Sequence, residues 1–261
     1  MTKLHSKKTA LVTGASVGIG RAVAAELAAN GYNLILMARR AEKLAELTEQ
    51  LNQEYGTHSH VIAVDVNQHD KVAAALAARP PEFITVDVLV NNAGLALGTD
   101  PAQSASWSDW YLMIQTNCMA LAHLTHLLLP SMLEQNKGHV VNIGSIAGNY
   151  PYRGGNVYGA TKAFVDQFSA NLRTDVLGTR IRVTNLIPGL LEGTEFSIVR
   201  MHGDEEKAGK VYDGLEAMQP EDVAEAVRWV VSLPQRVNIN RLELMALSQS
   251  AGGFAFSQIK D

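Results

Sequence analysis

The run Thr13-Gly14-Ala15-Ser16-Val17-Gly18-Ile19-Gly20 limits the fold of this chain more than any other segment. It lies between an apolar stretch, Thr9 to Thr13, with the make-up of a buried strand, and a helical pattern from Gly18 to Asn30. Gly14 permits a tight reversal, Gly18 and Gly20 let backbone and ligand approach closely, and the helix N-terminus offers unpaired N–H groups to an anion. A glycine run by itself is weak. Its position at a strand-to-helix turn gives it meaning and points to the pyrophosphate of a dinucleotide.

The next runs complete a βαβ opening, with a strand at Asn33 to Met37 and a helix at Ala41 to Tyr55. The alternation continues with strand Val61 to Val64, helix Asp70 to Ala78, strand Val86 to Val90, and helices over Ser106 to Asn136 broken near Asn117 and Pro130. Strand Gly138 to Ile143, helix Val157 to Leu177 and strand Ile181 to Leu186 follow. An excursion from Pro188 to about Glu216, helix Glu221 to Ser232 and a last strand near Arg241 to Met245 end the pattern. This predicts an α/β fold: one Rossmann-type, doubly wound parallel sheet of about seven strands with helices on both faces. No linker, repeat or low-complexity tract divides residues 1–261, so one domain is expected, with a substrate lid at about 190–216.

Bulk properties exclude several classes. A net charge of −4 and the lack of a polybasic tract argue against nucleic-acid binding. Apolar runs such as Leu124 to Pro130 fall short of the ~18 residues of a membrane span. One cysteine, Cys118, and no apolar leader in Met1 to Lys8 point to the cytoplasm.

The end of the second strand selects the dinucleotide. NAD sites usually carry an acid about 20 residues beyond the glycines, for the ribose 2′-hydroxyl. This chain has Ala38-Arg39-Arg40 there, and guanidinium groups suit a 2′-phosphate, so the expected cofactor is NADP(H). Asp65, followed by Val66 after the third strand, is placed to accept from the adenine amino group.

A second constellation holds Asn117, Ser145, Tyr158 and Lys162. Tyr158 and Lys162 are spaced i, i+4 and share a helix face. A tyrosine hydroxyl, with a pKa of about 10, is a poor base at neutral pH unless a nearby positive charge favours the phenolate. Taken alone, such a pair is more often a surface pair than a catalytic one. With the glycine turn, Asn91-Asn92-Ala93-Gly94, Ser145, Tyr158-Gly159-Ala160-Thr161-Lys162 and Pro188-Gly189 in that order, the chain resembles the short-chain dehydrogenase/reductase family over nearly its whole length. The resemblance implies that Tyr158 exchanges a proton with the substrate oxygen and that Ser145 holds this oxygen. It also implies that Lys162 bonds the nicotinamide ribose and lowers the Tyr158 pKa, and that Asn117 anchors a relay water. Asn92, Ala93 and Gly94 would line the adenosine side, and Pro188, Gly189, Leu191 and Thr194 would close over the nicotinamide.

A narrower resemblance, to the NADP-dependent 3-hydroxy acid dehydrogenases, is carried by Gly154 to Phe164, by Gly193-Thr194-Glu195-Phe196-Ser197 and by Val237-Asn238-Ile239-Asn240. It implies small substrates such as serine, allo-threonine or malonic semialdehyde, and a homotetramer. A substrate carboxylate calls for a cation, and Arg153 and Arg200 are the candidates. Either also fits a plain surface arginine. Two readings compete with this one: a reductase of the same fold acting on acyl thioesters, pteridines or steroids, and a dinucleotide sensor without catalysis. No metal site is expected, since His123 and His126 could share a helix face but have no further ligands around them. Cys118 reads as a small buried hydrophobe, and Asp204-Glu205-Glu206 with Lys207 and Lys210 as a solvated lid face.

Overall fold

A computed structural model describes residues 7–251; Met1 to Ser6, read above as lacking a leader, lie outside the described residues. The first half alternates β1 (Thr9–Thr13), α1 (Gly18–Ala29), β2 (Asn33–Ala38), α2 (Ala41–Tyr55), β3 (Ser59–Ala63), α3 (His69–Ala77) and β4 (Val88–Asn91). The second half holds α4 (Trp107–Ile114), α5 (Leu121–Glu134), β5 (Gly138–Ile143), α6 (Asn156–Asp175), β6 (Ile181–Pro188), α7 (Phe196–Arg200), α8 (Glu205–Gly209), α9 (Pro220–Ser232) and β7 (Arg241–Leu244). The strands form one parallel sheet in the order β3-β2-β1-β4-β5-β6-β7.

Alternate side chains of a strand face opposite sides, and helices cover both, so the inner strands are apolar on both faces. In β2, Leu34 and Leu36 pack with Leu27, Leu44, Leu51 and Val227 on one side. Ile35 and Met37 pack with Val72, Leu124 and Leu172 on the other. The winding reverses between β1 and β4, and such a switch point opens a crevice at the carboxyl ends of the strands. There Thr13 Oγ1 accepts the backbone N–H groups of Asn92 at 3.0 Å and Ala93 at 2.9 Å, while Asn92 Nδ2 donates to the Thr13 carbonyl at 2.8 Å. These bonds clamp the glycine turn to the segment after β4.

The region 106–136 differs from the expectation of broken helices. From Trp107 to Glu134 the helix is continuous, with a π-helical turn over Gln115–Ala120 and Pro130 inside α5. One extra residue per turn swings Asn117 inward, where it is bonded on two sides, so the distortion replaces a break. Because the run is continuous, it is long and apolar enough by length and composition to cross a membrane. Half of its most apolar window is buried within the fold, including Leu121, Leu124, Leu128 and Met132.

Candidate active site

The turn after β1 has the shape a pyrophosphate needs. Gly14 and Gly18 adopt φ of +65° and +53°, which side-chain-bearing residues rarely do. A Cβ on Gly20 would fall on the Gly14 carbonyl and within 2.5 Å of Asn92 Nδ2. Val17, the N-cap of α1, provides no side-chain cap, and the first turn holds no acidic residue. Its N–H groups are thus left for an anionic ligand. At the end of β2, Arg39 is exposed, and Arg40 turns back to donate to Ser16 Oγ at 3.4 Å. Asp65 Oδ1 accepts the backbone N–H of Asn67 at 2.9 Å, and Val66 is buried beside it. The donor set and the room left by the glycines fit a dinucleotide with a 2′-phosphate.

Tyr158 and Lys162, both buried, project from α6 toward this crevice. Ala96 and Met113 pack on Tyr158, with Leu97, Trp110 and Phe196 against the cluster. Burial pushes the Tyr158 hydroxyl up to about 12, opposed by a hydrogen bond with Ser145 and by the positive charge of Arg200. Lys162 stands one helical turn further along α6. Its Nζ lies 6.0 Å from the Tyr158 ring centroid and donates to the Ile143 carbonyl at 2.8 Å. Burial lowers its own pKa to about 8. Ser145 Oγ also accepts from the Ala147 N–H at 3.1 Å, fixing the hydroxyl at the end of β5.

Asn117 exchanges bonds with the Leu95 backbone, Nδ2 donating to its carbonyl at 2.8 Å and Oδ1 accepting its N–H at 2.9 Å. Nδ2 also reaches Thr161 Oγ1 at 3.0 Å. Its side chain therefore braces the π-turn against α6. A Cβ on Gly94 would lie 3.2 Å from Asn117 Oδ1 and 3.5 Å from Lys162 Nζ, so a bare backbone at 94 keeps this wall open.

The excursion after β6 is pinched at its base by Met218 N–H to Leu190 carbonyl at 3.2 Å and Glu192 N–H to Met218 carbonyl at 3.0 Å. Leu191, its carbonyl held by the Tyr212 hydroxyl at 3.0 Å, and Thr194, packed on Gly18, bring the segment over the crevice. Gly189 extends β6 through its N–H to the Leu244 carbonyl at 2.7 Å, directly after Pro188. Arg200 joins the site: its guanidinium carbon lies 5.7 Å from the Tyr158 ring centroid. Arg200 Nε donates to the Gly98 carbonyl at 3.3 Å and NH2 to the Tyr152 hydroxyl at 2.9 Å. No carboxylate pairs with it among the described residues. Arg153 is exposed and has no hydrogen bond or ion pair among the described residues. Sequence reasoning gives Tyr152 no role, and Glu195 and Phe196 enter it only within the Gly193 to Ser197 run, because the partners lie 48 residues away for Tyr152 and 155 for Glu195.

Burial pushes the Cys118 thiol up to about 11, and His123 stacks on His69 with centroids 4.4 Å apart. Among the described residues no three His, Cys, Asp or Glu side chains are grouped to hold a metal ion.

The family model for the short chain dehydrogenases matches residues 8–204. The chain belongs to this family. An NADP-dependent 3-hydroxy acid dehydrogenase of Salmonella typhi is 51% identical over 245 residues, 94% of this chain and 97% of that protein. A serine 3-dehydrogenase of Agrobacterium fabrum is 47% identical over 246 residues, 94% of this chain and 96% of that protein. The solved closed form of a serine dehydrogenase complexed with NADP+ superposes with a TM-score of 0.91 at 49% identity, covering 96% of this chain and 100% of that one. As a short-chain dehydrogenase the chain is an oxidoreductase acting on hydroxyl groups, and its cofactor is NADP(H).

Proposed function

We propose that this short-chain dehydrogenase interconverts small 3-hydroxy acids, such as serine, allo-threonine or 3-hydroxypropionate, and the matching carbonyl acids. The observation that carries this reading is Arg200. Its guanidinium, without a carboxylate partner among the described residues, stands beside the Tyr158 ring, which itself packs in a small apolar cluster. A cation there suits a substrate whose carboxylate stands one carbon removed from its reacting carbon and gives an uncharged alcohol no advantage. Thioester, pteridine and steroid substrates are the competing outcomes. The names of the two relatives support the same class.

Bound NADP supplies the hydride acceptor or donor, and the remaining work falls to the chain. Gly14 to Gly20 and the open N-terminus of α1 hold the pyrophosphate, with Ala15, Ser16, Val17 and Ile19 forming the turn. Arg39, Arg40 and Ser16 take the 2′-phosphate. Asp65 and Val66 border the adenine, and Asn92, Ala93 and Gly94 brace the floor. Ser145 holds the substrate oxygen while Tyr158 gives it a proton in reduction and takes one in oxidation. With its hydroxyl pushed up to about 12, Tyr158 stays protonated at neutral pH, which suits the reductive direction. Oxidation needs the phenolate, favoured by the Arg200 charge already present and by the positive charge of an oxidised nicotinamide. Lys162 bonds the nicotinamide ribose, Asn117 braces the wall, and Pro188, Gly189, Leu191 and Thr194 close the nicotinamide side. We further propose a single domain with a lid at about 190–216, a cytoplasmic location and a homotetramer.

The test is an NADP+ reduction screen over serine, allo-threonine, 3-hydroxypropionate, plain alcohols and a hydroxyacyl thioester, repeated with Arg200→Ala. The acids should be preferred, and the variant should raise their KM by about 100-fold while moving plain alcohols by less than about fivefold. Equal changes for both groups would remove Arg200 from substrate recognition.

A further inference from the structure

The lid carries an acid to the same arginine that the cofactor's 2′-phosphate needs. Arg40 NH1 lies 3.0 Å from Glu195 Oε1 and NH2 2.9 Å from Glu195 Oε2, so both terminal nitrogens meet one carboxylate. Lys43 Nζ approaches Oε1 at 3.7 Å, and Arg40 NH2 also points at Ser16 Oγ, 3.4 Å away on the glycine turn. A carboxylate facing a guanidinium two-on-two is the geometry a phosphate would take up with the same group. The contact spans 155 residues and joins the end of β2 to the lid directly after Thr194, which itself lies on Gly18.

We propose that Glu195 is a lid-borne counter-charge that occupies the 2′-phosphate subsite on Arg40 and Lys43 and competes with the phosphate, so that it sets the NADP-over-NAD preference and ties it to the lid. This rests on the placement of the 2′-phosphate at Ser16, Arg39 and Arg40 given above, and not on the substrate class. The electrostatics give the sign. A 2′-phosphate brings close to two negative charges to a site where Glu195 has already placed one. Each anion lowers the positive potential that attracts the other, so the two disfavour one another by reciprocal linkage. NAD carries only a hydroxyl at that position and leaves the Glu195 pair in place. The phosphate therefore loosens one tie of the lid as it binds.

The experiment is calorimetric binding of NADP+, NAD+, 2′,5′-ADP and 5′-AMP to the whole protein and to Glu195→Gln, which keeps size and shape. The pair is well exposed, with side chains 36% and 43% accessible for Arg40 and Glu195, so the variant should fold as the parent does. Expected is a tightening of NADP+ and 2′,5′-ADP of about fivefold or more, with NAD+ and 5′-AMP unchanged within about twofold. In an Arg40→Ala background the same replacement should change NADP+ affinity by less than about twofold. Unchanged or weaker NADP+ binding in Glu195→Gln would overturn the competition. An equal gain for NAD+ would overturn it as well, since it would report lid packing and not the phosphate. A protein that binds NADP+ as described yet fails to oxidise 3-hydroxy acids would count against the substrate reading alone.

Discussion

The glycine turn and the lid meet at Gly18 and Thr194, yet they are built on opposite terms. The turn is packed tightly against the segment after β4. Gly14 and Gly20 face the Asn92 side chain or backbone at distances no Cβ tolerates, and Thr13 and Asn92 lock the strands together. The lid is held by a pinched base and a few polar contacts, Glu195 to Arg40, Arg200 to Tyr152 and Ser197 to Tyr212 at 2.5 Å. Around Gly203, Gly209 and Gly214 a Cβ would meet nothing within 4 Å. A site that must hold a cofactor and still admit substrate needs one rigid wall and one that moves, and on the proposed reading the turn and the lid take these two parts.

The largest expected effect probes the rigid wall where it meets chemistry. Tyr158→Phe removes the hydroxyl and keeps the ring that packs on Ala96, Met113 and Phe196. Turnover should fall by at least about 1,000-fold, some 4 kcal/mol of transition-state stabilisation. NADP+ binding, measured by fluorescence or calorimetry, should stay within a few-fold. Activity within a few-fold of the parent would mean that another group moves the proton.

Next in size is Gly20→Ala, which places a methyl group on the Gly14 carbonyl and beside Asn92 Nδ2. Neither neighbour can yield without opening the clamp to β4. The cost should be about 3 kcal/mol, with a melting temperature lower by about 6–12 °C and weakened NADP+ binding. A variant as stable as the parent would show that the turn is looser than its geometry implies.

What could be read in the sequence follows the same division. Helix α2 was legible from end to end, since Leu44, Leu47 and Leu51 recur at helical spacing and Gly56 closes it in a left-handed conformation. The seven strands and the order of the family motifs depend on local runs and were equally legible. The π-turn at Gln115–Ala120 was not, because its cause is tertiary: Asn117 bonds Leu95 and Thr161, neither a neighbour in sequence. The sequence offers both Arg153 and Arg200, with Arg200 the better candidate, and only the fold of the segment after Thr194 turns Arg200 toward Tyr158. That Lys162 lowers the Tyr158 pKa is what the family resemblance implies, the i, i+4 spacing placing only the two side chains on one face of α6. The reach of Lys162 to the Ile143 carbonyl could not be read from a helical wheel.

Lys162 supplies the third prediction, a conflict between stability and function in the rigid wall. Its pKa is lowered to about 8 by burial against an unfolded value near 10.5, so the unfolded chain holds that proton more tightly. Below about pH 8 both states are protonated and the fold bears the full cost of the buried ammonium. Between pH 8 and 10.5 the folded state sheds the proton first, and this contribution to stability rises with pH. Lys162→Met should therefore stabilise the protein at pH 7 by about 1–2 kcal/mol, after the loss of the bond to Ile143, while turnover collapses. Urea unfolding at pH 7 and pH 10 checks it: the gain should shrink at the higher pH. A variant less stable than the parent at pH 7 would show that the hydrogen bond outweighs desolvation.

The smallest effect makes the comparison sharpest, because it repeats the glycine-to-alanine change on the other side of the cleft. Gly209 ends α8, has ordinary helical neighbours and leaves open space where a Cβ would stand. Alanine there avoids the entropy glycine loses on ordering, about 0.5–1 kcal/mol. On the proposed reading the lid would open without unfolding the sheet, so the gain would belong to local opening and should leave the global melting temperature nearly unmoved. Hydrogen exchange across Phe196–Gly209 should slow by about two- to fivefold, with β1 and β4 unaltered. If lid opening limits release, kcat falls by a similar factor while the rate of the chemical step in a single turnover does not. A rise in global stability equal to the local gain would mean that the lid and the sheet unfold together, and the contrast between the two walls would dissolve.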